Sequence, residues 1–214
     1  MNGDRHYLWS LLAILALVTV WSAIAPHDYL TWGLEVFPVL VALPCLVLTR
    51  RQFPFSRLAY GLMLAHAVIL LVGGHYTYAE MPLFSWLRDT YDLSRNYYDR
   101  VGHLAQGFVP AIVAREILLR NSPLQRGKWL FFLVSCVCLA ISACYEFIEW
   151  WVALASGDDA VAFLATQGDV WDTQWDMLLA LLGAVAAQLW LSRAHDRSMA
   201  RLELPRPPGV RGGG

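Results

Sequence analysis

Residues 96–111 read NYYDRVGHLAQGFVPA, which places Asp99, Arg100, His103 and Gln106 at the start of a segment that soon becomes hydrophobic. At helical spacing Asp99, His103 and Gln106 fall on one face, because they are four and then three residues apart. In a soluble protein such a face would be an ordinary hydrated surface. Its meaning therefore depends on whether the chain lies in water or in a membrane.

Composition favours a membrane. The chain has 214 residues, of which 57% are hydrophobic and 15% are charged, whereas soluble domains carry about 25% charged residues. Apolar segments long enough to cross roughly 30 Å of hydrocarbon recur along the chain. We predict an all-α membrane protein, a bundle of six transmembrane helices at about 7–25, 30–48, 58–78, 98–119, 129–153 and 172–191. They form a single domain, 1–192, followed by a basic Pro/Gly-rich tail, 193–214, that we predict to be disordered.

The distribution of charge predicts how the chain is oriented. With six crossings, one side of the membrane receives the N-terminus, the loops at 49–57 and 120–128, and the tail. These regions and the adjoining helix ends hold 13 of the 16 Lys and Arg residues. The positive-inside rule then places both termini in the cytoplasm. In the outer loop at 79–97, Pro82 favours the start of a short helix lying at the membrane interface.

Acidic residues follow the opposite pattern and gather where the helices meet the outer side. Four consecutive predicted helices bring His or carboxylate side chains to that one depth: His75, Asp99, His103, Glu146, Glu149, Asp172 and Asp176. Helix capping is the alternative explanation for Asp99 and Asp172, because acids are common in a first turn. It does not explain His103 and Asp176, which lie deeper, or the two glutamates, which sit at a helix C-terminus.

Charge balance points to a metal ion. Five of these residues are acids, and Arg100 is expected to face away from Asp99 and His103 because it adjoins Asp99 in the helix. The acids must then hold protons, lie in water or bind a cation. Imidazole with carboxylate is a ligand set for Zn²⁺, Mn²⁺ or Fe²⁺. The predicted ligands of such a divalent metal are His75, Asp99, His103, Asp172 and Asp176.

Five motifs together resemble the YjdF-type family of bacterial inner-membrane proteins, a domain of unknown function: HYTYAEMP, NYYDRVGH, QGFVPAIVARE, YEFIEW and QGDVWDTQWDM. The resemblance covers about residues 10–192 and implies a multi-pass protein of the bacterial inner membrane, with a site that includes Arg100. The pattern of two acids before LLALLGA in the last helix is also similar to VanZ-like proteins. Neither family supplies an established reaction.

Three functions are compatible with these residues. The first is a metal-dependent enzyme acting on a lipid head group or lipid-linked substrate, with Glu146, Glu149 and Arg100 as candidate catalytic residues. The second is a proton-coupled transporter, which would need polar residues toward the cytoplasmic side, where the segments read as mostly apolar. The third is a non-catalytic assembly or metal-sensing protein. Membrane lipid is the expected partner, nucleic acid is not expected, and the sequence favours no particular oligomeric state.

Overall fold

A computed structural model describes residues 2–156 and 166–203, and these residues form seven α-helices and no strand. The helices are α1 (Asn2–Ala23), α2 (Tyr29–Thr49), α3 (Arg57–Tyr76), α4 (Pro82–Tyr91), α5 (Tyr98–Asn121), α6 (Lys128–Ser156) and α7 (Asp172–Glu203), with a 3₁₀ turn at Tyr78–Glu80. The all-helical prediction is confirmed for this part of the chain.

Local sequence signals explain several helix ends. The Asp28 side chain accepts a hydrogen bond from Thr31 N at 2.6 Å and so caps α2, and Ser56 caps α3 in the same way. Pro82 begins α4, as expected for a residue that lacks an amide hydrogen. Helix α4 ends at Asp92, which adopts a left-handed conformation with φ 52°. The short helix predicted for the 79–97 loop is therefore present.

Five of the described helices, α1, α2, α3, α6 and α7, are long and apolar enough to cross a membrane. The other segment predicted to cross corresponds to α5, which lacks the required hydropathy because it carries charges near both ends. Its 24 residues still span about 36 Å at 1.5 Å per residue. The described residues thus support a multi-pass helical protein, without confirming a count of six.

Helices α5 and α7 form the central pair of the bundle, and α5 also contacts α3 and α6. The two helices run parallel, since Arg100 meets Asp176 near one end and Arg115 meets His195 near the other. Between these points the backbones approach closely. A Cβ on Gly107 would lie 1.7 Å from the Ala180 carbonyl oxygen, so only glycine fits this contact.

An apolar cluster separates the two ends of the central pair. On α5 it contains Ala111 and Ile112, and on α7 it contains Ala184 and Ala187, all four fully buried. Leu130, Val134 and Cys138 complete it from α6, together with Phe55 and Ala59. The charged residues at the two ends of α5 are therefore divided by hydrocarbon side chains.

The last helix is longer than predicted. Helix α7 continues to Glu203 rather than ending at residue 191, so residues 193–203 are not part of a disordered tail. The extra turns persist because they pack on the bundle: His195 and Met199 are buried, and Ser198 Oγ accepts a hydrogen bond from Leu58 N at 3.1 Å. Hydropathy alone missed this extension because its outward residues are polar. Residues 204–214 of the predicted tail lie outside the described residues.

Candidate functional site

The acidic residues gather at the end of the bundle where α5 and α7 begin and α6 ends. Asp99, Glu146, Asp172 and Asp176 are all buried, with exposed fractions between 1% and 7%. Buried carboxylates are costly unless they are paired, protonated or bound to a cation. The partners of these carboxylates therefore determine whether this end of the molecule can bind a cation.

Two arginines, Arg95 and Arg100, contact the aspartates, and we call this pair the arginine frame. Arg95 Nη1 donates to Asp172 Oδ1 at 2.6 Å, and Arg95 Nη2 donates to Asp99 Oδ2 at 3.3 Å. Arg100 Nη2 donates to Asp172 Oδ1 at 2.6 Å and to Asp169 Oδ2 at 3.1 Å, and its Nη1 contacts Asp176. These charge-assisted contacts hold the first turns of α5 and α7 together.

The expectation that Arg100 faces away from the site is wrong. Its backbone position does differ from that of Asp99, but the long side chain reaches sideways to α7, which the spacing along one helix does not reveal. Arg100 is only 10% exposed and lies 3.6 Å from Asp99. The aspartates consequently have two cationic partners, which weakens the argument that they need a metal ion.

A reciprocal pair of hydrogen bonds fixes the chain segments that lead into these helices. Gln167 Oε1 accepts from Asn96 N and Gln167 Nε2 donates to Asn96 O, both at 2.9 Å. The Asn96 side chain in turn accepts from Tyr98 N, which satisfies a free amide at the start of α5. Asp169 serves α7 similarly by accepting from Trp171 N at 2.9 Å. Asp99 and Asp172, by contrast, direct their carboxylates to the arginines.

His103 lies between the arginine frame and α6. Its Nε2 is 3.4 Å from Asp99 Oδ1 and 3.8 Å from Asp176 Oδ1. Its Nδ1 is 3.1 Å from Gln106 Oε1 and 4.0 Å from Glu146 Oε1. The histidine is 4% exposed, so both ring nitrogens face protein groups rather than solvent.

Within residues 2–156 and 166–203, two sets of three residues have the spacing of a metal site, and both include His103. One set is Asp99, His103 and Asp176, and the other is His103, Glu146 and Glu149; within each, one donor atom per residue lies within 4.8 Å of the others. The sets differ in their neighbours, because the aspartates already contact arginines. Glu146 Oε1 is buried and has no hydrogen-bond partner among the described residues.

The wall of the site toward α2 and α3 contains a further acid and two phenols. Glu35 of α2 is 3% exposed, and the hydroxyl groups of Tyr78 and Tyr145 lie beside its carboxylate. The Tyr78 ring fits only because Gly73 and Gly102 leave room for it; a Cβ on Gly73 would lie 1.6 Å from the ring. The motif HYTYAEMP thus contributes its second tyrosine to the site.

His75, a predicted metal ligand, is placed elsewhere. Its Nδ1 lies 3.1 Å from the Ser22 carbonyl oxygen, and its ring packs on Trp21 with centroids 4.4 Å apart. These contacts turn it toward α1, whereas the acids lie on the α5 side of α3. Of the predicted residues, the structure brings together Asp99, Arg100, His103, Glu146, Glu149, Asp172 and Asp176. Arg95, Tyr78 and Tyr145 join them, and no pattern in the sequence singled out the two tyrosines as site residues.

A second buried polar network occupies the opposite end of the central pair. His195 Nε2 is 2.9 Å from Glu116 Oε2, and His195 Nδ1 is 3.0 Å from Arg115 Nη1. Glu116 Oε1 also accepts from Ser56 N and from Arg120 Nη1. The expectation that the segments on this side are mostly apolar did not include this buried network.

The chain was compared with known proteins. Residues 7–197 match the family model described as "Predicted membrane protein (DUF2238)". The chain is 50% identical over 190 residues to the inner membrane protein YjdF of Escherichia coli (strain K12), an alignment that covers 89% of this chain and 91% of that protein. No solved structure matches.

The family match spans the site residues of α5 and α7, the glutamates of α6 and the polar network of His195. The identity to YjdF extends over nearly the whole of both chains. This agrees with the resemblance found in the sequence motifs. The chain therefore belongs to the DUF2238 family of predicted membrane proteins.

Proposed function

We propose that this inner-membrane protein binds one divalent metal ion through His103, Glu146 and Glu149 and uses it to act on a lipid head group or lipid-linked substrate. The observation that carries the proposal is the Oε1 atom of Glu146, which is buried, has no hydrogen-bond partner in the described part of the chain, and is directed at His103. A buried charged oxygen in that position calls for a cation. Imidazole and two carboxylates are a common ligand set for Zn²⁺ and for other divalent ions.

The alternative set, Asp99 and Asp176 with His103, is less suited to a cation. Asp176 Oδ1, the oxygen that faces His103, also contacts Arg100 Nη1. Asp99 presents Oδ1 to His103, and the other oxygen of the same carboxylate, Oδ2, is 3.3 Å from Arg95 Nη2. A metal ion bound to these oxygens would lie within a few ångströms of a guanidinium charge, which repels it. We therefore assign the aspartates to the arginines and the glutamates to the metal.

The ligand geometry leaves room for chemistry. Donor atoms within 4.8 Å of one another need only small side-chain rotations to reach the metal–ligand distances of about 2.0–2.2 Å. Three protein ligands leave a fourth position open, where a divalent ion would polarise a substrate oxygen and lower the pKa of a bound water. Glu149 is the most exposed of the three proposed ligands, so a substrate would approach the site from its side.

The surroundings of the site favour a lipid substrate. Trp150 and Trp151 follow Glu149 at the end of α6, and Trp171 and Trp175 flank the start of α7; all four are exposed. Tryptophans at this level are typical of a membrane–water interface. A substrate with its polar group at the interface and its chains in the bilayer would reach the site from the side.

Transport is less well supported. The polar network around His195 does extend charge to the other end of α5, as a transporter would require. The apolar cluster of Ala111, Ile112, Ala184 and Ala187 separates it from the acids. The close backbone contact at Gly107 also leaves no room for water between α5 and α7 at that point.

Metal analysis of the purified protein tests the proposal. We expect detergent-purified wild type to contain close to one divalent ion per chain, and His103→Ala to contain none. The metal-bound protein should also melt at a higher temperature than the chelator-treated one, because a ligand at 1,000 times its Kd stabilises by about 4 kcal/mol. Glu80→Gln is the control, since Glu80 is an exposed acid paired with His27 and should not affect metal content. Wild type that is free of metal and indifferent to chelator rejects the proposal.

We propose further that α5 is a sixth crossing and that both termini are cytoplasmic. Helix α5 runs parallel to α7 from Arg100 to Arg115, and α7 has the hydropathy of a membrane span. Its charged residues face protein partners, which removes much of the cost of burying them. The excess of Lys and Arg on one side sets the orientation.

Reporter fusions test this topology. Fusions after Gln52 and Ser122 should report the cytoplasm, and fusions after Asp92 and Asp158 should report the periplasm. The alternation is expected because each pair of consecutive sites brackets one crossing: α3, α5 and α6 in turn. If Asp92 and Ser122 report the same side, α5 does not cross and the six-helix topology is incorrect.

A further inference from the structure

The two oxygens of the Asp99 carboxylate face different partners. Asp99 is 4% exposed, and its Oδ2 faces both arginines, 3.3 Å from Arg95 and 3.6 Å from Arg100. Its other oxygen, Oδ1, faces His103 Nε2 at 3.4 Å. The arginines thereby hold Asp99 in one orientation, with a single oxygen presented to the imidazole.

A neutral imidazole has one N–H nitrogen and one nitrogen with a free lone pair. A partner that accepts a hydrogen bond from one ring nitrogen therefore leaves the lone pair on the other. A carboxylate beside Nε2 accepts a hydrogen bond from Nε2–H, which leaves the lone pair on Nδ1. Nδ1 is the nitrogen that faces Glu146, at 4.0 Å. The Gln106 atom at 3.1 Å from Nδ1 is Oε1, which can only accept a hydrogen bond. A turn of the amide by about 180° exchanges its oxygen and its NH₂ group, which then donates to the lone pair of Nδ1 when no ion is bound.

We propose that Asp99 is a positioning residue that fixes the Nε2–H form of His103, so that Nδ1 is the atom that binds the metal. Metal-binding histidines commonly donate their other ring N–H to a carboxylate, and removing that carboxylate weakens metal affinity 10–100-fold. Arg95 and Arg100 act indirectly, because they hold Asp99 in its orientation. This inference rests on the proposed metal site and assigns its aspartates a role other than ligation.

Asp172 provides a matched control. It is buried to a similar degree and contacts both arginines, with Arg95 Nη1 and Arg100 Nη2 each at 2.6 Å from its Oδ1. The ion pairs found for it among the described residues do not include His103. Asp99→Asn and Asp172→Asn therefore remove the same charge from the same frame, and only the first removes a carboxylate from the imidazole.

The experiment titrates Zn²⁺ into metal-stripped wild type and the two variants, in competition with a chromophoric chelator. Asp99→Asn should lose 10–100-fold in affinity, and Asp172→Asn should remain close to wild type although both variants lose thermal stability. With Co²⁺ as the probe, the visible absorption spectrum should change in Asp99→Asn alone, because only there is the histidine ligand reoriented.

The outcomes distinguish a failure of the proposed metal site from a failure of the role assigned to Asp99. Wild type that binds neither Zn²⁺ nor Co²⁺ overturns the proposed function and this inference with it. Metal binding by wild type with equal affinities in the two variants leaves the metal site standing and overturns the role of Asp99. If Asp99→Asn does not fold, Asp99→Glu keeps the charge for the arginines and displaces the carboxylate. That variant should also lose affinity, and wild-type affinity in it overturns the inference.

Discussion

Replacing Arg100 by methionine is expected to destabilise the protein by about 3–5 kcal/mol, because removing one partner of a buried ion pair leaves uncompensated charge. Arg100 contacts Asp169, Asp172 and Asp176, of which the last two are almost wholly buried. Methionine retains most of the apolar stem, so the change removes charge rather than volume. The measurement is the free energy of unfolding in detergent.

Two comparisons make this result specific. Arg88→Met is the control, since Arg88 pairs with Asp89 on the exposed face of α4 and the variant should be nearly as stable as wild type. Adding Asp176→Asn to Arg100→Met should restore part of the loss, because it removes one of the unpaired carboxylates. Equal stabilities of the Arg88 and Arg100 variants would show that Arg100 does not compensate the aspartates.

Replacing Gly107 by alanine is expected to cost about 3 kcal/mol, at the upper end of the range for overpacking. The added Cβ would lie 1.7 Å from the Ala180 carbonyl oxygen and 2.7 Å from Ala180 Cα. Backbone atoms have no alternative rotamer, so α5 and α7 must move apart. That movement would also lengthen the contacts of Arg100 with the aspartates, so metal content should fall together with stability.

Gly33→Ala is the matched control for this change. Gly33 lies within α2 and a Cβ there meets nothing within 4 Å. Alanine is favoured over glycine in a helix by about 0.8–1.0 kcal/mol, so this variant should be as stable as wild type or more stable. Unchanged melting of Gly107→Ala would mean that α5 and α7 are not in close contact at this point.

The membrane class and the choice of residues could be predicted because each follows from a simple physical rule. Apolar segments of about 20 residues indicate helices in a bilayer, and acids deep in a helix or at its C-terminus have no local explanation. The same reasoning linked Asp99, His103, Glu146 and Asp176 across separate helices. The structure brings all four to one end of the bundle.

The predictions that differ from the structure share a cause, since each concerns where a long or ring side chain points. Helix spacing predicts that Arg100 faces away from Asp99 and His103. The prediction is wrong because a guanidinium on a flexible stem reaches the adjacent helix α7. His75 was assigned by depth to the site, but Trp21 and the Ser22 carbonyl hold it on the other side of α3. The polar turns of α7 after residue 191 were read as tail because hydropathy does not report that His195 is fully buried.

The sequence by itself determined that this protein is helical and membrane-embedded, and it identified most of the ionisable residues that meet at one end. These features depend on composition and periodicity, which are local properties of the chain. Only the tertiary structure decided how the charges are shared, with the aspartates contacting Arg95 and Arg100 and with Asp99, Asp176 and Glu146 arranged around His103. That division depends on contacts between residues up to 77 positions apart, which arise only when α5, α6 and α7 pack together.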